Sequence, residues 1–239
     1  LRYAGAGADS LSDITFDVAP GETVGIIGGT GSGKSSLVNM IPRFYDASQG
    51  SVCIDGVDVK DYTLDELRHK VGVVPQKAVL FAGTIADNIR WGKQDATEAE
   101  IDEALEIAQA KEFVDGKENG IYFKITQGGK NLSGGQKQRL TIARAVVRKP
   151  EILILDDSAS ALDFATDAAL RKAIRKKTKG MTVFLVSQRA STIMNSDKII
   201  VMDDGQIAGI GTHRQLLSNC EIYREICQSQ LSEEELSHE

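Results

Sequence analysis

The sequence predicts an α/β fold, in which a largely parallel β-sheet covered by helices is interrupted by a helical insertion. Two observations carry that expectation. Apolar, β-branched runs of strand length recur at 23–27, 71–74, 151–155, 182–186 and 198–201, most of them separated by stretches with helical spacing. Between residues 77 and 139 the pattern turns mostly helical, which sets about sixty residues into the β/α core.

The elements follow in order. Ile14, Phe16 and Val18 alternate and read as strand-like, Pro20-Gly21 as a turn, and 23–27 as a buried strand. Residues 28–33 form a glycine-rich loop. The helix after it carries Leu37, Met40 and Ile41 and stops at Pro42. Residues 52–59 read as a hairpin around Asp55-Gly56. Thr97 caps a run with apolar Ile101, Ala104, Leu105 and Ile107. Residues 213–239 are expected to hold C-terminal helices and an acidic tail, frayed over 232–239.

Composition bounds the function. Of 239 residues, 41% are hydrophobic and 26% charged, ordinary values for a globular chain able to bury one sizeable core. No apolar run approaches the ~20 residues that span a bilayer, and no signal peptide is visible. The chain opens at Leu1 without Met and enters a strand-like pattern at once. It is therefore expected to be a module of something longer, with any membrane-spanning part elsewhere. A net charge of −6 argues against a nucleic-acid partner. The basic run Arg171, Lys172, Arg175, Lys176, Lys177 and Lys179 sits where it complements the C-terminal end of a helix. Cys53, Cys220 and Cys227 lack C-x-x-C spacing and are expected to be reduced thiols. His69, His213 and His238 are scattered and suggest no metal cluster.

Gly28-Gly29-Thr30-Gly31-Ser32-Gly33-Lys34-Ser35 fits G-x-x-x-x-G-K-[ST] without a mismatch. The glycines let backbone N–H groups converge on phosphate oxygens, and the helix that follows adds its N-terminal partial charge. Lys34 is expected to reach the β and γ phosphates of ATP, Ser35 to hold Mg²⁺, and Ser36 to belong to the same nucleotide contact. The metal half is expected from Asp156, at the carboxyl end of the apolar run Ile152-Leu153-Ile154-Leu155.

Between these elements stands Leu132-Ser133-Gly134-Gly135-Gln136, then Lys137-Gln138-Arg139 and a helix ending at Pro150. With this signature the chain resembles the ATP-binding domain of ABC transporters over essentially its whole length. The resemblance implies a P-loop NTPase (RecA-like) core with an antiparallel β subdomain and an inserted α-helical subdomain. The core is expected over 1–76 and 140–212, and the signature subdomain over 77–139. It also implies a head-to-tail dimer, in which Ser133, Gly134, Gly135 and Gln136 close over ATP held by a second ABC ATP-binding domain. Tyr3, 25 residues before Gly28, resembles the aromatic that stacks on adenine. Gln76 resembles the glutamine that reaches Mg²⁺ and senses the membrane domain. Asp163, in Ser160-Ala161-Leu162-Asp163, resembles the loop that crosses the dimer interface. Val79-Leu80-Phe81-Ala82-Gly83-Thr84-Ile85 with Asn88-Ile89 is similar to the exporter branch, where the coupling helices of the transmembrane domain dock. In Gln127-Gly128-Gly129 a Gln precedes the glycine where exporters usually carry Glu. The implied location is the cytoplasmic face of a bacterial inner membrane.

Two departures fall among the residues the family uses for hydrolysis. Asp157 stands where the family places the Glu that orients the attacking water, and Gln188, in Val186-Ser187-Gln188-Arg189, replaces the switch histidine. An Asp carboxylate falls about one C–C bond, ~1.5 Å, short of a Glu carboxylate, and an amide neither gains nor loses a proton near neutral pH. With the signature intact, the expectation is one degenerate half of an unequal pair. Two rival readings are a DNA-repair type of soluble ABC ATPase and an ATP-gated dimerisation module. The 56 residues between Gln76 and Ser133 are too few for the first rival's coiled-coil arm.

Overall fold

The computed structural model describes residues 1–158, 160–178 and 180–232. The acidic end of the expected tail, 233–239, and Lys179 of the basic run lie outside the described residues. The chain opens with β1 (Thr23–Gly28), α1 (Lys34–Asn39), β2 (Cys53–Ile54), β3 (Val57–Asp58) and α2 (Leu64–Lys70). Then come β4 (Val71–Val74), β5 (Gly83–Thr84), α3 (Ile85–Arg90), α4 (Glu98–Ile107), α5 (Lys111–Asp115) and β6 (Lys124–Ile125). α6 (Gly134–Val146), β7 (Ile152–Asp156) and α7 (Phe164–Lys177) lead to β8 (Thr182–Val186), α8 (Ala190–Ile193), β9 (Lys198–Asp203) and β10 (Gln206–Gly211). α9 (His213–Asn219) and α10 (Glu221–Gln230) come last. These elements fall into two compact units, residues 1–71 with 182 onward, and residues 72–181.

In the first unit β1 is flanked on both sides by parallel strands. Val24 pairs with Phe184 on β8 and with Lys198 on β9. Val24, Ile26, Ile27, Val183, Ile199, Ile200 and Val201 are buried, as strands covered on both faces require. β10 runs antiparallel to β9 with alternating exposure, an edge strand that the sequence reading did not anticipate. β2 and β3 form the expected hairpin, with Cys53 opposite Asp58. Its turn residues Asp55 and Gly56 have φ of 53° and 78°, which suits an Asp-Gly pair. The strand-like reading of Ile14, Phe16 and Val18 is corrected, because no strand is assigned there. All three side chains are partly buried between exposed neighbours, so the alternation reflects burial along a segment assigned to no strand.

In the second unit β7 neighbours β4, and the rest is mostly helical. Buried Ile85, Ile89, Ile101, Leu105, Leu140 and Ile142 line its helical core. α6, the longest helix of the insertion, is capped by Ser133, and α7 by Asp163. β5 and β6 make a second small antiparallel ladder. The fold is thus an α/β P-loop NTPase core of RecA-like arrangement, with antiparallel β ladders and an inserted helical segment. Among the described residues, no helix is long and apolar enough to cross a membrane.

Capping decides where α4 begins. The Thr97 hydroxyl accepts from the Glu100 N–H, while the Glu100 carboxylate accepts from the Thr97 N–H at 2.9 Å. That carboxylate also takes the Lys93 ammonium. The Lys93 contact first, and the Thr97 N–H second, hold the Glu100 carboxyl down at about 2. A depressed carboxyl stabilises the fold above its ordinary value of 4.5, and that contribution is lost as pH falls toward 2. Glu100→Gln is therefore expected to lower the thermal midpoint at pH 7 by about 2 °C. The gap from the parent should close as the pH of the melt drops from 4.5 to 2.

Candidate nucleotide site

Backbone geometry builds the glycine loop. Gly28 ends β1 beside β9, where an added Cβ would lie 2.1 Å from the Met202 carbonyl oxygen and 2.7 Å from Ser32 Oγ. Gly31 and Gly33 adopt left-handed φ values of 83° and 95°, which glycine reaches without strain. Gly33 is the N-cap of α1, so the loop runs directly into the start of that helix. The Lys34 ammonium is buried within the loop, donating to Gly28 O at 2.8 Å, Gly29 O at 2.6 Å and Ser32 Oγ at 3.3 Å. A buried ammonium held by oxygens on one side of the loop is compatible with phosphate oxygens as further acceptors. Gly29, Thr30, Gly31 and Ser35 are exposed, and an added Cβ at Gly29 or Gly31 meets nothing within 4 Å. The loop fits a polyphosphate.

Two more candidates share this unit. The Tyr3 hydroxyl donates to Ser36 Oγ at 2.7 Å, which ties the N-terminal segment to α1. Tyr45 meets the Tyr3 ring edge-on at 4.8 Å, a partner the sequence reading missed because no spacing links the two. Gln188 follows β8, whose Val186 is paired with Ile26 on β1, and the Ser187 N–H donates to Ile26 O. Gln188 and the phosphate loop therefore leave the carboxyl ends of adjacent parallel strands, the position where ligands meet open α/β sheets. Gln188 is exposed.

The remaining candidates belong to the second unit. Asp156 is the last residue of β7, and Pro75-Gln76 follows β4 beside it. Gln76 Nε2 donates to Asp157 Oδ2 at 2.9 Å, so the structure brings together the two side chains flanking the strand ends. Asp157 has a left-handed φ of 46°, a region that Asp enters more readily than longer side chains. The donor types expected for the metal, the Ser35 hydroxyl, the Asp156 carboxylate and the Gln76 amide oxygen, are hard oxygens suited to Mg²⁺. Among the described residues no cluster of three or more His, Cys, Asp or Glu forms a metal cage.

The signature forms the N-terminus of α6. Ser133 Oγ accepts from the Gln136 N–H at 3.2 Å, and Gln136 Oε1 accepts from the Ser133 N–H at 3.1 Å. Ser133 and Gly134 are exposed, which leaves the positive end of a 13-residue helix on the surface. Gly135 lies close over Ala161, with an added Cβ 3.2 Å from its carbonyl oxygen. Asp163 caps α7 through Thr166, whose hydroxyl and N–H hold the Asp163 carboxyl below its ordinary value.

The same unit holds a cavity of about 200 Å³ lined by Val79, Trp91, Thr141, Arg144 and Arg148 among others. At its edge Phe81 and Trp91 stack at 4.9 Å, and Trp91 is 68% exposed. Arg144 lies over the Phe81 ring at 5.5 Å and donates to Val79 O and Asn88 O. The sequence reading singled out the segment 79–89. Trp91 and Arg144 were not singled out, although a lone Trp outside the apolar helical period was a usable signal.

A phosphate-binding loop on a parallel sheet, with an acidic strand end and a second capped helix, defines the class as a nucleotide-binding P-loop domain. The ABC transporter family profile matches residues 11–160. An uncharacterized ABC transporter ATP-binding protein of Mycobacterium bovis is 46% identical over 96% of this chain and 40% of its own length. An ATP-dependent lipid A-core flippase of Hahella chejuensis is 42% identical over 98% of this chain and 40% of its own. Among solved structures, a bacterial Atm1-family ABC exporter with ATP bound superposes with a TM-score of 0.93 at 37% identity, over 97% of this chain and 41% of that one. The chain belongs to the ABC transporter family, whose ATP-binding portion is an ATPase. It spans about 40% of the length of these relatives.

Gly28→Ala, which must displace the Met202 carbonyl, is expected to lower stability by about 3 kcal/mol in urea unfolding and to abolish nucleotide binding. Gly29→Ala should leave stability within about 0.5 kcal/mol of the parent.

Proposed function

We propose that this chain is the ATP-binding domain of an exporter-type ABC transporter, and that it works as the hydrolysis-impaired half of an unequal pair. MgATP lies along residues 28–36, with Tyr3 on the adenine and Lys34 on the β and γ phosphates. Ser35, Gln76 and Asp156 hold Mg²⁺, which when bound neutralises charge on the phosphate oxygens. Ser133, Gly134, Gly135, Gln136 and Asp163 face a second, non-identical ABC ATP-binding domain in head-to-tail contact. The exposed N-terminus of α6 supports this, because a second anion site on the surface needs a nucleotide brought by another chain.

The exposed Phe81–Trp91 pair beside Val79 takes the coupling helices of a transmembrane domain. ATP turnover in the pair then drives export of a substrate from the cytoplasmic face of a membrane. The chain spans about 40% of relatives that include a flippase, which leaves room in such proteins for a membrane part.

The observation that carries the impaired-site reading is the state of Asp157. Its short carboxylate is engaged by the Gln76 amide at 2.9 Å, where the family uses a longer Glu to orient water. A shortfall near 1 Å costs on the order of 10²-fold in rate. Gln188 removes the group that titrates near neutral pH. The phosphate loop and the signature keep every expected residue, so nucleotide binding and service to the partner's site survive.

The purified chain alone is expected to bind MgATP and to turn it over far more slowly than once per second. A phosphate-release assay giving several turnovers per second would sink the reading. Asp157→Glu with Gln188→His should raise turnover at least about tenfold. ATP held for many minutes without phosphate release, even in that double variant, would favour a nucleotide-gated clamp.

A further inference from the structure

The turn that carries Gln188 leads into α8, and α8 has no cap of its own. Its N-cap residue is Arg189, which makes no side-chain capping bond and has no acceptor to offer. The acceptor comes from 40 residues further along. Gln230 Oε1, on the last residue of α10, accepts from the Ala190 N–H at 2.8 Å. The same amide turns its other end the opposite way, and Gln230 Nε2 donates to the Gln188 carbonyl at 2.8 Å. One side chain thus spans the turn 188–190 and fixes its backbone from both sides. The Ser187 hydroxyl adds a third bond inside the turn, accepting from the Arg189 N–H at 3.0 Å.

α10 is a firm base for this strap. Tyr223 and Cys227 are fully buried along it, and Leu231 just beyond its end is buried with its N–H on Cys227 O. The Tyr223 hydroxyl meets His213 Nδ1 at 2.7 Å on α9. On the other side, α8 packs against β1 so closely that an added Cβ at Gly25 would lie 2.7 Å from Ile193 Cβ. The turn is therefore held between the exposed end of a helix anchored by buried Tyr223, Cys227 and Leu231 and the strand that leads into the phosphate loop.

We propose that Gln230 is a positioning residue for the side chain at 188, acting through the carbonyl of that residue, so that the last helix sets the reach of the switch position. This rests on the proposed reading that Gln188 stands at the switch position of the hydrolysis site. The amide's two ends separate the strap from simple helix capping. Gln230→Ala removes both bonds. Gln230→Glu keeps the acceptor for Ala190 but cannot donate to Gln188 when ionised.

Steady-state ATPase of the purified chain is measured in the natural background and in the Asp157→Glu/Gln188→His background. Gln230→Glu is expected to lower kcat about fivefold, the worth of one hydrogen bond. KM for MgATP should stay within about twofold, and the thermal midpoint should fall less than in Gln230→Ala, which loses both bonds. In the labelled protein, the ¹³C shift of the residue 188 carbonyl should move in both Gln230 variants, while Ala190 amide exchange speeds up only in Gln230→Ala. An unchanged kcat in Gln230→Glu, or an unmoved residue 188 carbonyl, overturns the proposal. So does a fall confined to Gln230→Ala that tracks its thermal midpoint, since capping alone would produce it. If the Asp157/Gln188 double variant gains no activity, the impaired-site reading fails, and Gln230 is judged on the natural chain's slow turnover.

Discussion

β1 leaves the sheet at Gly28 with the carbonyl oxygen of Met202 where a side chain would stand. Because β1 is flanked by parallel β8 and β9, its carboxyl end must turn within a space bounded by their backbones. Only a residue without Cβ turns there, and two left-handed glycines then bring the chain round into α1. The position of Lys34 follows from that path, since its ammonium is fixed by the carbonyls of Gly28 and Gly29. The parallel pairing that crowds Gly28 also delivers Gln188, because Val186 and Ile26 share a register. A single packing constraint at one strand end thus places both the loop and Gln188.

The second unit uses a different device, in which helix side chains grip loop carbonyls. Gln138 on α6 donates to Pro75 O, immediately before Gln76. Arg144, six residues further along the same helix, holds Val79 O and Asn88 O. Burial lowers the pKa of the Arg144 guanidinium, and the acceptors it holds offset part of that desolvation. α6 therefore carries the signature at its first residue and anchors the segment 75–88 along its length. On the proposed reading, a rigid helix of this kind is the sort of element through which docking near Trp91 and contact at Ser133 can bias one another.

Much of this was legible beforehand. The strands at 71–74 and 182–186 were placed to the residue because buried strands read as continuous apolar runs, and Thr97 and Asp55-Gly56 because capping and turn chemistry are local. Ile14, Phe16 and Val18 misled because alternation records burial, and a segment can bury alternate side chains with no strand assigned to it. β10 escaped because three of its six residues are glycine or alanine and its exposure alternates, which weakens any hydrophobic period. The contacts of Gln76 with Asp157, Tyr3 with Tyr45 and Gln230 with Gln188 join residues 81, 42 and 42 apart. Each depends on where the fold returns the chain, and no local pattern encodes it.

The division between what the glycine loop does and what Asp157 and Gln188 do has a physical origin. Phosphate binding draws on backbone N–H groups, whose positions are set by glycine conformations and strand packing, and these cannot drift without unfolding the loop. Turnover, on the proposed reading, draws on the tips of two side chains, where one methylene or one ring nitrogen can change while the backbone stays put. Loss of hydrolysis is therefore the easier change for such a domain to tolerate. The left-handed backbone at Asp157 points the same way, because it favours the short carboxylate over the long one by local conformation alone. On the proposed reading the signature still serves a partner while this side chain is short, and the backbone at Asp157 accommodates the shorter residue.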